Sequence, residues 1–181
     1  MLWNDRMRAA FEPDTRKCET LIRDLESSMS ASGLDVFDKT LQTTHIWLKE
    51  IETKVGPDRQ VAWKVLSVVL HKLRDRLPVD LAAHLGAELP LLIRGVYYDQ
   101  YEPAKQPAKW NRDEFVAEVQ RWLSDIRPVA APDAIDAVFG TLSHYVSPGQ
   151  IEKVKRALPD DIQACWTNGA SIGRPRGETT H

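Results

Sequence analysis

A chain of 181 residues suits one medium domain or two small ones, and it can bury roughly 70% of its unfolded surface. Apolar residues at 43% and charged residues at 28% are an ordinary globular balance. The formal net charge of -2 lacks the basic excess of a nucleic-acid binder, and no run approaches the ~18 apolar residues of a membrane span.

The N-terminal stretch MLWNDRMRAAFEPD has basic residues but no apolar core or small-residue cleavage site, so no signal peptide is expected. Two distant cysteines, Cys18 and Cys165, form no framework and read as reduced, half-buried helix residues of a cytoplasmic protein. Residues 1–33 read as an extension with one amphipathic helix carrying Cys18, Leu21, Ile22, Leu25 and Met29, closed by the turn formers of Ser27–Gly33.

A second helix is predicted from Val36 to Val55, with Phe37, Leu41, Thr44, Leu48, Ile51 and Val55 on one stripe and Trp47 widening it. Gly56 stops it, and Pro57 supplies a first-turn proline for the next helix, Asp58 to Arg76. That helix has the broadest apolar arc, from Val61 to Leu73, and is expected to be central. Pro78 and Pro90 each begin a shorter helix, and Gly86 permits the close approach of a neighbour.

Residues 99–110 are polar, contain two prolines and read as a linker. Helical structure resumes at Asn111, which with Glu114 makes a capping-box start, followed by an apolar face of Phe115, Val119, Trp122, Leu123 and Ile126. Three further proline starts follow, at Pro132, Pro148 and Pro159, and residues 168–181 read as a disordered tail.

The two halves can be laid side by side. Leu41–Ile51 matches Val116–Ile126, with Trp47-Leu48 over Trp122-Leu123, and Pro57-Asp58 falls over Pro132-Asp133. Val65-Leu66, Val69 and His71 fall over Val138-Phe139, Leu142 and His144, while Leu89-Pro90, Ile93 and Tyr97 fall over Leu158-Pro159, Ile162 and Trp166. The common order of these blocks, with offsets placed at loops, points to a repeated multi-helix unit, residues 34–98 and 111–167. The fold class is all-α: a helical bundle of two related repeats plus an extra N-terminal helix.

FDKTLQTTHIWLKEI, PDRQVAW and LRDRLPVDLAAHLGAELPLLIRGVYYDQYEP resemble the bacterial domain-of-unknown-function family 2267, over roughly Leu34 to Trp166. The resemblance implies a soluble helical bacterial protein. It brings no activity, cofactor or catalytic residue to carry over.

His71 and His144 hold matching places in the two repeats and are weak candidates for a metal pair with a carboxylate such as Asp75; the plainer reading makes each an ordinary hydrogen-bonded helix histidine. His84 and Glu88, one turn apart, are a weaker half-site. Arg94, Tyr97, Tyr98, Tyr101 and Trp110 bracket the linker and are the candidate ligand or partner surface. Their alternative and preferred role is to pin the linker onto the bundle. Lys153, Lys155 and Arg156 read as a solvated face.

No phosphate loop or nucleophile elbow is present, which points away from an enzyme. The expectation is a non-enzymatic interaction or scaffold module, with a protein partner or self-association, no nucleic acid, no membrane and no cofactor. The alternative is a small-molecule or metal-binding protein with a pocket between the repeats, lined by Trp47, His71, Trp122 and His144.

Overall fold

The computed structural model describes residues 34–125 and 127–166. The predicted N-terminal helix with Cys18, the expected tail and the core role of Ile126 lie outside the described residues. Among those described there are eight α-helices and no strand, so the all-α class holds. No helix is long and apolar enough to cross a membrane.

The chain divides into two compact units, residues 1–41 and 42–181. Helix α1 (Asp35–Val55) begins in the first, where Phe37 and Leu41 are exposed. Its buried stripe starts only at Thr44 and continues through Trp47, Leu48, Ile51 and Val55. Periodicity marks which face of a helix is apolar, not how far along it a core reaches.

In the second unit, Gly56 ends α1 at a φ of 101°, a left-handed conformation that glycine adopts without steric cost. Asp58 then caps α2 (Arg59–Arg76), its carboxylate accepting from the N–H groups of Gln60 and Val61. Pro57 therefore lies ahead of the cap instead of within the first turn. The same correction applies to Pro78, Pro90 and Pro159, the caps of α3 (Val79–Glu88), α4 (Leu91–Tyr98) and α8 (Asp160–Gln163). Each has an extended ψ near 150° and gives its carbonyl to the first helical bonds, a role that needs no N–H. Pro132 and Pro148 do lie inside the first turns of α6 (Ala131–Tyr145) and α7 (Pro148–Ala157).

The predicted capping box is formed at α5 (Arg112–Trp122): Asn111 accepts from the Glu114 N–H and Glu114 accepts from that of Asn111. α2 packs on α4, α5 and α6, as its broad apolar arc requires. α3 packs on α4 and α7, and α5 on α6 and α8. Buried residues from Trp47 to Trp166 join in one core, so the predicted halves are not separate lobes.

Gly86, on the buried face of α3, abuts the Tyr98 ring and hydroxyl. A methyl group there would collide with both. Gly86→Ala is therefore expected to displace Tyr98 and lower stability by about 1–3 kcal/mol, measured by urea unfolding.

Candidate functional site

The last two turns of α2 carry His71, Lys72, Arg74, Asp75 and Arg76, and the linker folds back along them. Arg74 is buried, with only 3% of its side chain exposed. Its Nη1 donates to the carbonyls of Tyr97 and, at 2.9 Å, Asp99. Its Nε and Nη2 both reach Asp75 Oδ1 at 2.9 Å, and its guanidinium lies 4.9 Å from the centre of the Tyr101 ring. Farther along, Gln106 Nε2 donates to Arg74 O, Ala108 N–H donates to Asp75 O at 2.7 Å, and Arg76 Nε donates to Trp110 O at 3.0 Å. The linker is thus bonded to α2 along its length.

Lys72 links this arrangement to α5. Its ammonium lies 5.3 Å from the centre of the Trp110 ring, 4.7 Å from that of Trp122 and 3.2 Å from Glu118 Oε2. Glu118, Arg121 and Trp122 share a face of α5 through their helical spacing. Arg121 also meets Glu118, at 2.8 Å, and approaches the Trp122 ring. The hydrogen bond from Arg121, then that from Lys72, outweighs burial and holds Glu118 below the usual carboxylate range.

These walls enclose a chamber of about 440 Å³ lined by Lys72, Asp75, Gln100, Gln106, Trp110 and Arg121, among others. A smaller hollow of about 190 Å³ shares Lys72, Asp75, Gln100 and Glu102 with it and adds His71, Arg74 and Trp122. A third, of about 340 Å³, shares Arg121 and Trp122 and extends to Lys64 and Asp125. The three share lining residues and together make one groove.

Gln100, which lines two of the hollows, takes a φ of 52°, in the left-handed region. His71 Nε2 donates to Val96 O at 2.6 Å. Burial lowers the His71 pKa despite that bond, so the folded chain favours the neutral ring.

The residues predicted to face a partner are mostly turned inward. Tyr97 is fully buried and its hydroxyl donates to Ala82 O at 2.9 Å, which removes it from any surface; burial raises its phenol pKa strongly. Tyr98 fills the notch at Gly86, and Tyr101 donates to Gln106 Oε1 at 2.6 Å. Arg94 binds the carbonyls of Ala87 and Leu89 at the end of α3. Trp110 alone of the five lines the groove. The set pins the linker and helix ends.

The histidines take different partners. His144 is 65% exposed, bonds Glu50 through Nδ1 at 3.0 Å and stacks on Tyr145. The hollow at His71 includes Trp122 but neither Trp47 nor His144. Among the described residues no three His, Cys, Asp or Glu side chains are placed to hold a metal. Glu88 turns from His84 to the backbone N–H and hydroxyl of Ser147, both at 2.9 Å. Cys165 is half-buried, its thiol 3.9 Å from Asp161 O.

Lys72, Arg74, Gln100, Glu118 and Arg121 were absent from the predicted site. For Lys72 and Arg74 the one sequence signal is a cation set into the buried arc of α2; Gln100, Glu118 and Arg121 have none.

A family model described as "Uncharacterized conserved protein (DUF2267)" matches residues 44–165. The chain belongs to this family. The DUF2267 match takes in every groove residue named above, from Lys64 to Asp125. No curated protein matches the chain.

Two outcomes follow from the geometry. Gln100→Gly is expected to raise unfolding free energy by up to about 1 kcal/mol in urea titrations, because glycine takes a positive φ without the Cβ clash. His71, with its pKa lowered from the ordinary ~6.5, favours folding above that value. As pH falls from about 7 to about 5, the unfolded chain gains this proton first and stability declines. His71→Gln is expected to flatten that decline in unfolding curves measured across the same range.

Proposed function

We propose that this chain is a non-catalytic, cytoplasmic interaction module that binds an extended segment of a protein partner in the groove between the linker, α2 and α5. The observation that carries this reading is the lining of the groove: three hollows with shared walls, two of them bounded by the half-exposed Trp122 and two by Arg121. Several joined hollows offer room for more than one side chain of a polypeptide segment, and an exposed tryptophan beside an arginine has the composition of a binding hot spot. The carboxylates of Asp75, Glu102 and Glu118 along the walls favour a peptide over a phosphate backbone.

The groove is read as one product of an internal duplication. Helices α1–α4 and α5–α8 follow the same order, with ten residues in both α3 and α7 and proline caps at α4 and α8. Buried Leu89, Ile93 and Tyr97 correspond to buried Leu158, Ile162 and Trp166. Trp47 stacks on Tyr145, while its counterpart Trp122 stacks on Lys72, and these partners are the residues that follow His144 and His71. Where the linker crosses the second of these contacts, it walls a groove.

A small-molecule ligand is the second reading, favoured by the chamber of about 440 Å³, a volume usual for such sites. Site-specific photo-crosslinking separates the two. With benzoylphenylalanine in place of Arg121, at the groove, a protein adduct of discrete mass is expected in cells; with it in place of exposed Lys153, on α7, none is expected. Equal protein adducts from both positions, or none from either, would remove the peptide-groove reading, and a small-mass adduct at position 121 alone would favour the second.

A further inference from the structure

Helix α1 begins before the core that buries its later turns. Leu34, Phe37 and Leu41 recur at intervals of three and four, on the stripe that Thr44, Leu48, Ile51 and Val55 continue in buried form. Yet Phe37 is 45% exposed and Leu41 42%, and α1 has no buried residue ahead of Thr44. Single exposed apolar residues need no explanation, but an aligned set that extends a buried stripe marks a contact face.

Two observations point to what covers it. The division of the chain falls inside α1, directly after Leu41, so Phe37 and Leu41 belong to the compact unit of residues 1–41. The remainder of that unit is residues 1–33, which end immediately before Leu34. The helix predicted there carries Cys18, Ile22, Leu25 and Met29 at intervals of four, three and four, the spacing of a helix–helix seam. Residues 30–33, SASG, then supply a four-residue connection, a usual length for a helical hairpin.

We propose that the segment of residues 18–29 folds back antiparallel on the first two turns of α1 and covers this face with its own apolar stripe. Reversal about residues 30–33 sets Met29 against Leu34, Leu25 against Phe37 and Ile22 against Leu41, three layers in a single register. The competing occupant is a second copy of the chain. The three side chains of the face expose on the order of 250 Å² together, well under the roughly 800 Å² per partner of a stable interface. A segment on so short a tether needs no such area, because its effective concentration at the face is on the order of millimolar.

The test is disulfide formation in the full chain, with Cys18→Ala and Cys165→Ala as background. Ile22→Cys with Leu41→Cys is expected to close an intrachain disulfide under mild oxidation, identified by peptide mass mapping. Asp24→Cys with Leu41→Cys places the first thiol on the far side of the predicted helix and is expected to close about tenfold more slowly or less readily still. A second readout needs no new cysteine. In Leu25→Asp, amide exchange at residues 37–41 is expected to quicken about tenfold or more, while exchange along α2 stays as it is. Interchain disulfides from the 22/41 pair would give the face to a second copy and overturn the proposal. Equal closure of the two pairs, closure of neither, or exchange in Leu25→Asp that is unchanged or quickened equally along α2 would overturn it as well.

Discussion

Arg74 sets the constraint on which the site depends. A guanidinium taken out of water costs several kcal/mol unless its donors are met, and α2 itself can meet few of them, because its backbone carbonyls are engaged along the helix. The acceptors come from the end of α4 and the start of the linker, with Asp75 beside them as counter-ion. The chain leaving α4 is therefore drawn back over α2 instead of away from the bundle. Once Tyr97 and Asp99 are placed, Gln106 and Ala108 fall within reach of the carbonyls at the end of α2.

Lys72 extends the same logic to the second half of the chain. Its ammonium is nearly buried, and it is stabilised by one carboxylate and two indole faces, a set that desolvation strengthens. Trp110 ends the linker, Trp122 ends α5, and Glu118 lies one turn before Trp122. One side chain thus fixes the spacing between linker and helix, and the groove is the space left beside it. Trp47 is packed differently: its ring stacks on Tyr145, and Glu50 bonds His144 at the edge.

Local structure was largely legible in the residues. The capping box at Asn111, the glycine stop at Gly56, the central standing of α2 and the close approach at Gly86 each follow from short-range chemistry that the chain spells out. The site was much less so. Spacing leaves Tyr97 open between a partner surface and a buried pin, and the Ala82 carbonyl that its hydroxyl meets, fifteen residues away, cannot be read from it. Lys72 and Arg74 carry the charges that usually mark a solvated face. Their burial depends on acceptors supplied by the linker and α5, and such distant pairings have no periodic signal. Residues 99–110 have the composition of a flexible connector, and composition does not register that three cations of α2 bind them.

The anchored linker also bears on how the two halves find each other. A free connector of this length would leave α5 to search a wide volume before docking, and closing that loop costs entropy. Here Ala108 is bonded to Asp75, only a few residues ahead of α5, and Arg76 holds Trp110 at its threshold. The remaining tether is so short that α5 meets α2 at a high effective concentration, without any larger contact between the helices. The halves consequently assemble as neighbours on a leash. The groove, walled in part by the leash itself, exists only where α5 is docked beside α2.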